Sequence, residues 1–361
     1  MSEIQKSSSV KIEYIRLACA VLITLNHSTG YSDYPDCSAV SRTVIDFALK
    51  YSGIIAMSMF FFMTGFLLFR NVKTGGVKDF FGWYKNTLKK RVFSLLIPYL
   101  LWNLIWTVFA AAAPMLSVFN AHRDQFEGFD WTWRSLFEGI FLYKYNARFW
   151  YIACIMVLII LSPVIYGLFR NRYLGVVVLC IQLIVTVYVP KIRFLDWLFN
   201  EKGYFGMFFF MAGAWMAIHH FSLVNLKMTE LQEFFGGILF PGGIILYYLF
   251  QENGKYRLFT AVSALIIIIG LWMAVDFFRK FKYPVISGTF FFAYAIHFHV
   301  ERFVNKLFEI FLPPVTGSAM INTFGGVFIA SVIMFGTAVV VRKYLPRLFA
   351  ILNGGRSKYK G

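Results

Sequence analysis

The sequence predicts an all-α fold, a polytopic transmembrane helical bundle of about ten helices that fills one membrane domain over residues 1–361. Three observations predict it. Hydrophobic residues make up 59% of the chain and charged residues only 15%, well under the roughly 25% charged of soluble domains, so a water-soluble surface cannot be assembled from it. Long apolar stretches recur along the whole length. The lysines and arginines collect in alternate connecting segments rather than on one face.

A hydrocarbon core needs about 20 mostly apolar residues per helix. Such stretches fall near 13–32, 49–69, 92–113, 149–169, 173–190, 204–221, 234–250, 257–278, 284–303 and 321–341. With the N-terminus inside, the inner segments hold 22 of the 35 Lys and Arg but only 6 of the 18 acids. The Lys and Arg bias sets orientation, so both termini are expected to be cytoplasmic in a multi-pass protein of the cell membrane. A short segment, 1–12, precedes the first span, and a basic tail, 342–361, follows the last. The cluster from Lys73 to Arg91 and the tail residues Arg342, Lys343, Arg347, Arg356, Lys358 and Lys360 are read as a topology signal. They also suit anionic lipid headgroups of the bilayer or anionic cytoplasmic ligands. The net charge of +17 is thus distributed as a membrane protein distributes it, and no nucleic-acid partner is expected.

The first apolar segment lacks a small-residue cleavage site and is long enough to span, so it reads as a retained helix. Between the third and fourth spans, Ala113 to Arg148 form the longest outer excursion, with Phe129, Trp131, Trp133 and Phe137 placed to anchor at headgroup level or to lie as an interfacial helix. Breaks are expected at Ser162–Pro163, at Pro241 with Gly242 and Gly243, and at Pro313–Pro314. They do not form the paired broken helices of a repeat-built carrier. Cys19, Cys154 and Cys180 fall inside spans and read as small apolar residues, while Cys37 sits in an outer loop. Neither a disulfide framework nor a thiol nucleophile follows. No His-x-x-x-His pair or Cys cluster with ligand spacing occurs, so no metal is expected.

An ionisable side chain inside a span is costly and therefore marks a functional hypothesis. His27 leads, eleven residues after Arg16 in the first span. At 100° per residue the two side chains share one helix face, and at 1.5 Å per residue they stand ~16 Å apart. A cation near the inner surface and an imidazole deeper in suit a donor whose phosphates stay at the surface while a thin arm carries its reactive end inward. Coenzyme A has that shape. The imidazole is then placed to act as general base on an acceptor hydroxyl. Taken alone, a polar helix contact or a snorkelling arginine explains the pair as well.

The string RLACAVLITLNH resembles the signature of the integral-membrane acyltransferase-3 family, which includes O-acetyltransferases of cell-surface polysaccharides and related glycans. Further segments are similar to the family's in the same order: FFFMTGFLLFR at the end of the second span, KKRVFSLLIPYLLW entering the third, RFWYIACIMVLIILSPVIY, and GTFFFAYAIHFHV. Two positions depart from the family's pattern. Ser94 stands where a second Arg often follows Arg91 by three residues, and Arg148 stands where His often precedes the Trp.

The resemblance implies that Arg16 and His27 are essential, with His27 the catalytic base, and that Arg91 helps hold the donor, acetyl-CoA, at the cytoplasmic mouth. Arg148 and Trp150, at the outer start of the fourth span, are placed to contact an acceptor sugar, Trp by stacking and Arg by hydrogen bonding. His297, in the ninth span, is expected at a depth comparable to His27. His299, two residues on, points to the other face. The expected reaction is transfer of an acetyl group to a hydroxyl of a glycan or related small molecule reached from the outer side. The alternative is a transporter or export module for a small polar solute.

Overall fold

The computed structural model describes residues 3–28, 34, 37–72, 76–112, 130–188, 201–219, 227–252, 257–313, 315 and 317–356, and among these it is helical with no strand. Helix α1 (Glu3–Asn26) is followed by α2 (Ala39–Phe69), whose first turn is capped by the Ser38 hydroxyl accepting from the Ser41 N–H at 3.1 Å. Helices α3 (Val77–Arg91) and α4 (Ile97–Ala112) run into one another through a π-helical turn, Val92–Leu96. Pro98 supplies the reason. It has no N–H to return to the carbonyl of Ser94, and the Ile97 N–H reaches back five residues to Val92 O instead.

Helix α5 (Trp133–Phe141) is a described helix of the segment from Ala113 to Arg148, of which 113–129 lie outside the described residues. It rests on α4, with Asn103 Nδ2 donating to Ile140 O at 3.1 Å and Tyr99 Oη to Phe141 O at 2.8 Å. Trp131 and Trp133 stay exposed, as an anchoring role requires. Helices α6 (Trp150–Ile160) and α7 (Ser162–Phe169) are bent by 60° at the Leu161 break, where Pro163 again withholds a donor. The helices α8 (Arg172–Tyr188), α9 (Glu201–Ile218), α10 (Glu230–Glu252) and α11 (Arg257–Ala274) follow. Pro241 does not break its helix as expected: α10 continues through it and its two glycines. The chain ends in α12 (Phe290–Phe311), the short α13 (Ser318–Met320) leading by a π-helical turn into α14 (Gly326–Tyr344), and α15 (Pro346–Leu352). Pro314 of the expected Pro313–Pro314 break lies outside the described residues.

A helix overlies each of the ten apolar stretches. Among the described residues five helical segments are long and apolar enough to cross a membrane: Ala39–Phe69, Lys78–Ala112, Glu230–Gln251, Leu258–Lys280 and Ser318–Tyr344. The bent α6–α7 pair makes a sixth if it is one span. The count falls short of ten for two reasons. The apolar parts of α8 and α9 are short, and α12 carries Glu301, Arg302, Lys306 and Glu309 while α1 is polar over its first half.

Packing brings α2 against α1 and α9, α10 against α11, and α12 against α14. The backbones of α2 and α9 touch. A Cβ added at Gly65 would strike the carbonyl of Phe210, and one at Gly213 would strike that of Phe62, the small-residue contact typical of membrane helices. At its lower half α1 is clamped to the end of α11. Buried Lys11 lies 2.6 Å from Asp276 Oδ1 and over the Trp272 ring, while Asp276 also accepts from Arg279 at 2.6 Å and from the Met228 N–H at 3.0 Å. Tyr14 stacks on Phe278 with centroids 4.6 Å apart. These contacts hold α1 in place just before Arg16.

Cys19, Cys37, Cys154 and Cys180 are all free thiols. Cys37 lies outside the helices, just before α2, and is buried beside Tyr34, Ile45 and Ala319, while Cys180 is exposed on its helix.

Candidate functional site

Arg16, His27, Arg91, Arg148, Trp150 and His297 all line one cavity of about 730 Å³. They arrive from five places in the chain: α1, the turn after it, the last residue of α3, the start of α6, and α12. The volume lies within the range of small-molecule sites. Tyr151, Tyr294, Lys50 and Arg356 share the lining, and among the described residues that line it are five cationic side chains and no carboxylate.

Helix α1 ends at Asn26, so His27 lies in the turn just beyond it and not within a span reaching 32. The His27 N–H bonds Thr24 O at 3.1 Å, tightening the last turn. Asn26, the last residue of α1, turns its side chain to α2, where Nδ2 donates to Leu49 O at 2.7 Å and the amide fills the space left by Gly53. The imidazole is thereby held at the helix end, over the cavity. Its ring lies 5.4 Å from that of His297 and 6.0 Å from that of Phe298.

His297 is eight residues into α12, which begins at Phe290 and not near 284. It is buried, and its Nδ1 donates to the Tyr294 carbonyl. In the neutral ring that bond assigns the proton to Nδ1 and leaves Nε2 as an acceptor. Nε2 is buried with no hydrogen-bond partner among the described residues. His299 faces away as expected, its ring stacked on Trp106 of α4 at 3.4 Å.

Arg148 occupies the 3₁₀ turn Ala147–Phe149, and Trp150 begins α6. The Tyr294 hydroxyl donates to the Arg148 carbonyl, and the guanidinium lies 4.5 Å from the centre of the Phe298 ring, a cation–π arrangement. Arg148 Nε is buried without a partner among the described residues. Tyr151 closes the wall between, its hydroxyl 2.9 Å from Thr64 Oγ1.

The other end of the cavity is cationic. Arg16 pairs with Glu13 at 2.7 Å, Arg91 lies within electrostatic reach of Arg16, and Arg356 lies within reach of both. Burial, with the Arg91 and Arg16 charges beside it, pulls the Arg356 guanidinium down to about 10, still charged at neutral pH. Arg91 also lines a second cavity of about 530 Å³ with Asn71, Lys78, Trp83, Asn86 and Lys90. Arg356 was not foreseen as a site residue, since a tail cation after the last span reads as topology. Ser94, at the departure from the resembled pattern, is next to this cluster, against the backbone of Gly354.

The profile of a family described as an acyltransferase domain matches residues 9–343. Among curated proteins, the succinoglycan biosynthesis protein ExoH of Rhizobium meliloti (strain 1021) is 24% identical over 311 residues, covering 82% of this chain and 78% of that protein. No solved structure matches the chain.

Proposed function

This chain belongs to the acyltransferase-3 family, and on that premise we propose that it is a membrane O-acetyltransferase that takes its acetyl group from cytoplasmic acetyl-CoA. The observation that carries this reading is the arrangement of one cavity, with Arg16, Arg91 and Arg356 gathered at one end and the His27 and His297 rings, with Arg148 near them, at the other. The donor's phosphates sit at Arg16 and Arg91, where planar guanidiniums match phosphate oxygens. Its thin arm follows α1 inward, and its thioester carbonyl reaches His27. On this reading α1, α8, α9 and α12 join the five or six apolar spans to complete a bundle of about ten, with both termini cytoplasmic in the cell membrane.

His27 takes the proton of the acceptor hydroxyl as its oxygen attacks the thioester carbon. A C–O bond forms, the C–S bond breaks, and the proton passes to the departing thiolate. His297 Nε2, Arg148 and Trp150 hold the acceptor on the far side. The acceptor is a hydroxyl on a glycan or a related molecule, a reading favoured by the relative whose name places it in succinoglycan biosynthesis.

Release of free thiol from acetyl-CoA by the purified protein, accelerated by a hydroxyl acceptor and matched by acetylated product, is the expected result. Movement of a solute into vesicles with no covalent change would instead make the protein a transporter.

A further inference from the structure

Helix α15 folds back onto α4, where Trp102 Nε1 donates to Leu352 O at 2.9 Å. The next residue, Asn353, is buried and ties three segments together. Its Oδ1 accepts from the Phe292 N–H at 3.0 Å, capping the first turn of α12, which has no side-chain cap of its own. Its Nδ2 donates to Gly288 O at 2.6 Å and to Arg356 O at 2.9 Å. Gly354 and Gly355 then reverse the chain with φ of 64° and 74°, a left-handed conformation that side chains resist. Gly354 is further restricted because a Cβ there would strike the carbonyl of Ser94.

The outcome of this turn is the position of Arg356. Its guanidinium donates to Asn353 O at 3.1 Å, lies over the Phe291 ring at 4.9 Å and enters the lining of the main cavity beside Arg16 and Arg91. Among the described residues Glu13 pairs with Arg16, and no carboxylate lines the cavity that the three guanidiniums share. Like charges gathered in a partly buried wall repel one another, and an anion with several oxygens removes that cost while accepting their hydrogen bonds. A single carboxylate of a substrate brings one negative charge against three positive ones. A diphosphate brings more charge, spread over several oxygens.

We propose that Arg356 is a donor-binding residue, the third member of a guanidinium clamp on the donor's diphosphate, and that the turn from Asn353 to Arg356 is part of the donor site. The proposal rests on the donor reading above and adds to it a residue from the tail.

Binding of CoA, ADP and pantetheine to the purified full-length protein in neutral-lipid nanodiscs tests it. Arg356→Ala is expected to weaken CoA and ADP by roughly 10- to 100-fold, the range for a lost charge-assisted hydrogen bond, and to leave pantetheine unchanged. Arg356→Lys, which keeps the charge and the fold but not the planar fork, is expected to recover only part of the affinity. A parent that binds CoA and ADP alongside an Arg356→Ala protein that binds both equally well overturns the clamp and leaves the donor reading standing. A parent that binds neither overturns both. If anionic-lipid nanodiscs abolish the Arg356-dependent part of CoA binding, the cluster belongs to lipid headgroups and the proposal falls.

Discussion

A His27→Gln protein is expected to fold, insert and bind donor as the parent does, yet to turn over ~10² to 10⁴ times more slowly, the usual worth of a general base. Glutamine keeps a donor and an acceptor but cannot take up a proton near neutral pH. The geometry makes the substitution informative. His27 lies beyond the last turn of α1 and not inside the packed helix, next to the Asn26 contact to Leu49 that ties the helix end to α2. His27→Ala is expected to lose activity to the same degree. If His27 only bridges helices, glutamine preserves most of the activity and alanine lowers stability instead. His297→Gln is the comparison. Its Nε2 is a second acceptor 5.4 Å away ring to ring, and as an acceptor-holding group its loss is expected to raise KM for the hydroxyl substrate more than it lowers kcat. A folded His27→Gln protein with near-parental turnover would remove the base from the mechanism.

Arg16→Ala and Arg91→Ala are expected to weaken donor binding by roughly 10- to 100-fold each, the range for hydrogen bonds to a charged group. The double variant is expected to lose less than the product of the two, because both groups contact one diphosphate. Arg16 needs a control, since its removal leaves the Glu13 carboxylate without its partner at the same site. Glu13→Gln combined with Arg16→Ala separates the lost attraction from the new repulsion. Raised salt is expected to reduce donor affinity in the parent, and by less in each variant. Titration of CoA into the purified proteins measures all of these, and unchanged affinity in both single variants would remove the two residues from the donor site.

The residues best read from sequence were those that break an apolar pattern. Arg16 and His27 stand out in a span because burying an ionisable group is costly, and both line the same cavity. Arg91, Arg148 and Trp150 drew notice only through resemblance, since a cation or aromatic at a helix end is ordinary in a membrane protein. The two-residue spacing puts His297 and His299 on opposite faces and the resemblance favoured His297; they do separate, His297 to the cavity and His299 onto Trp106. Helix ends were poorly legible because tertiary contacts set them. Asn26 ties the end of α1 to α2, and the first turn of α12 is capped by Asn353, more than sixty residues later in the chain. Arg356 was hidden for the same reason. Only the left-handed turn at Gly354 and Gly355, pressed against Ser94, carries a tail cation into the site, and nothing local in the sequence announces where that turn docks. The expected break at Pro241 failed because the rest of α10 holds the helix together through a single missing hydrogen bond.

In this mechanism one cavity holds the donor's phosphates at Arg16 and Arg91 and delivers its acyl carbon to His27. A structure of the parent with a thioether analogue of acetyl-CoA, which cannot release its acyl group, tests this most directly. The diphosphate is expected on Arg16 and Arg91 and the acyl carbonyl beside the His27 and His297 rings. An analogue seated outside this cavity, or reversed so that its acyl end lies against the guanidiniums, contradicts it.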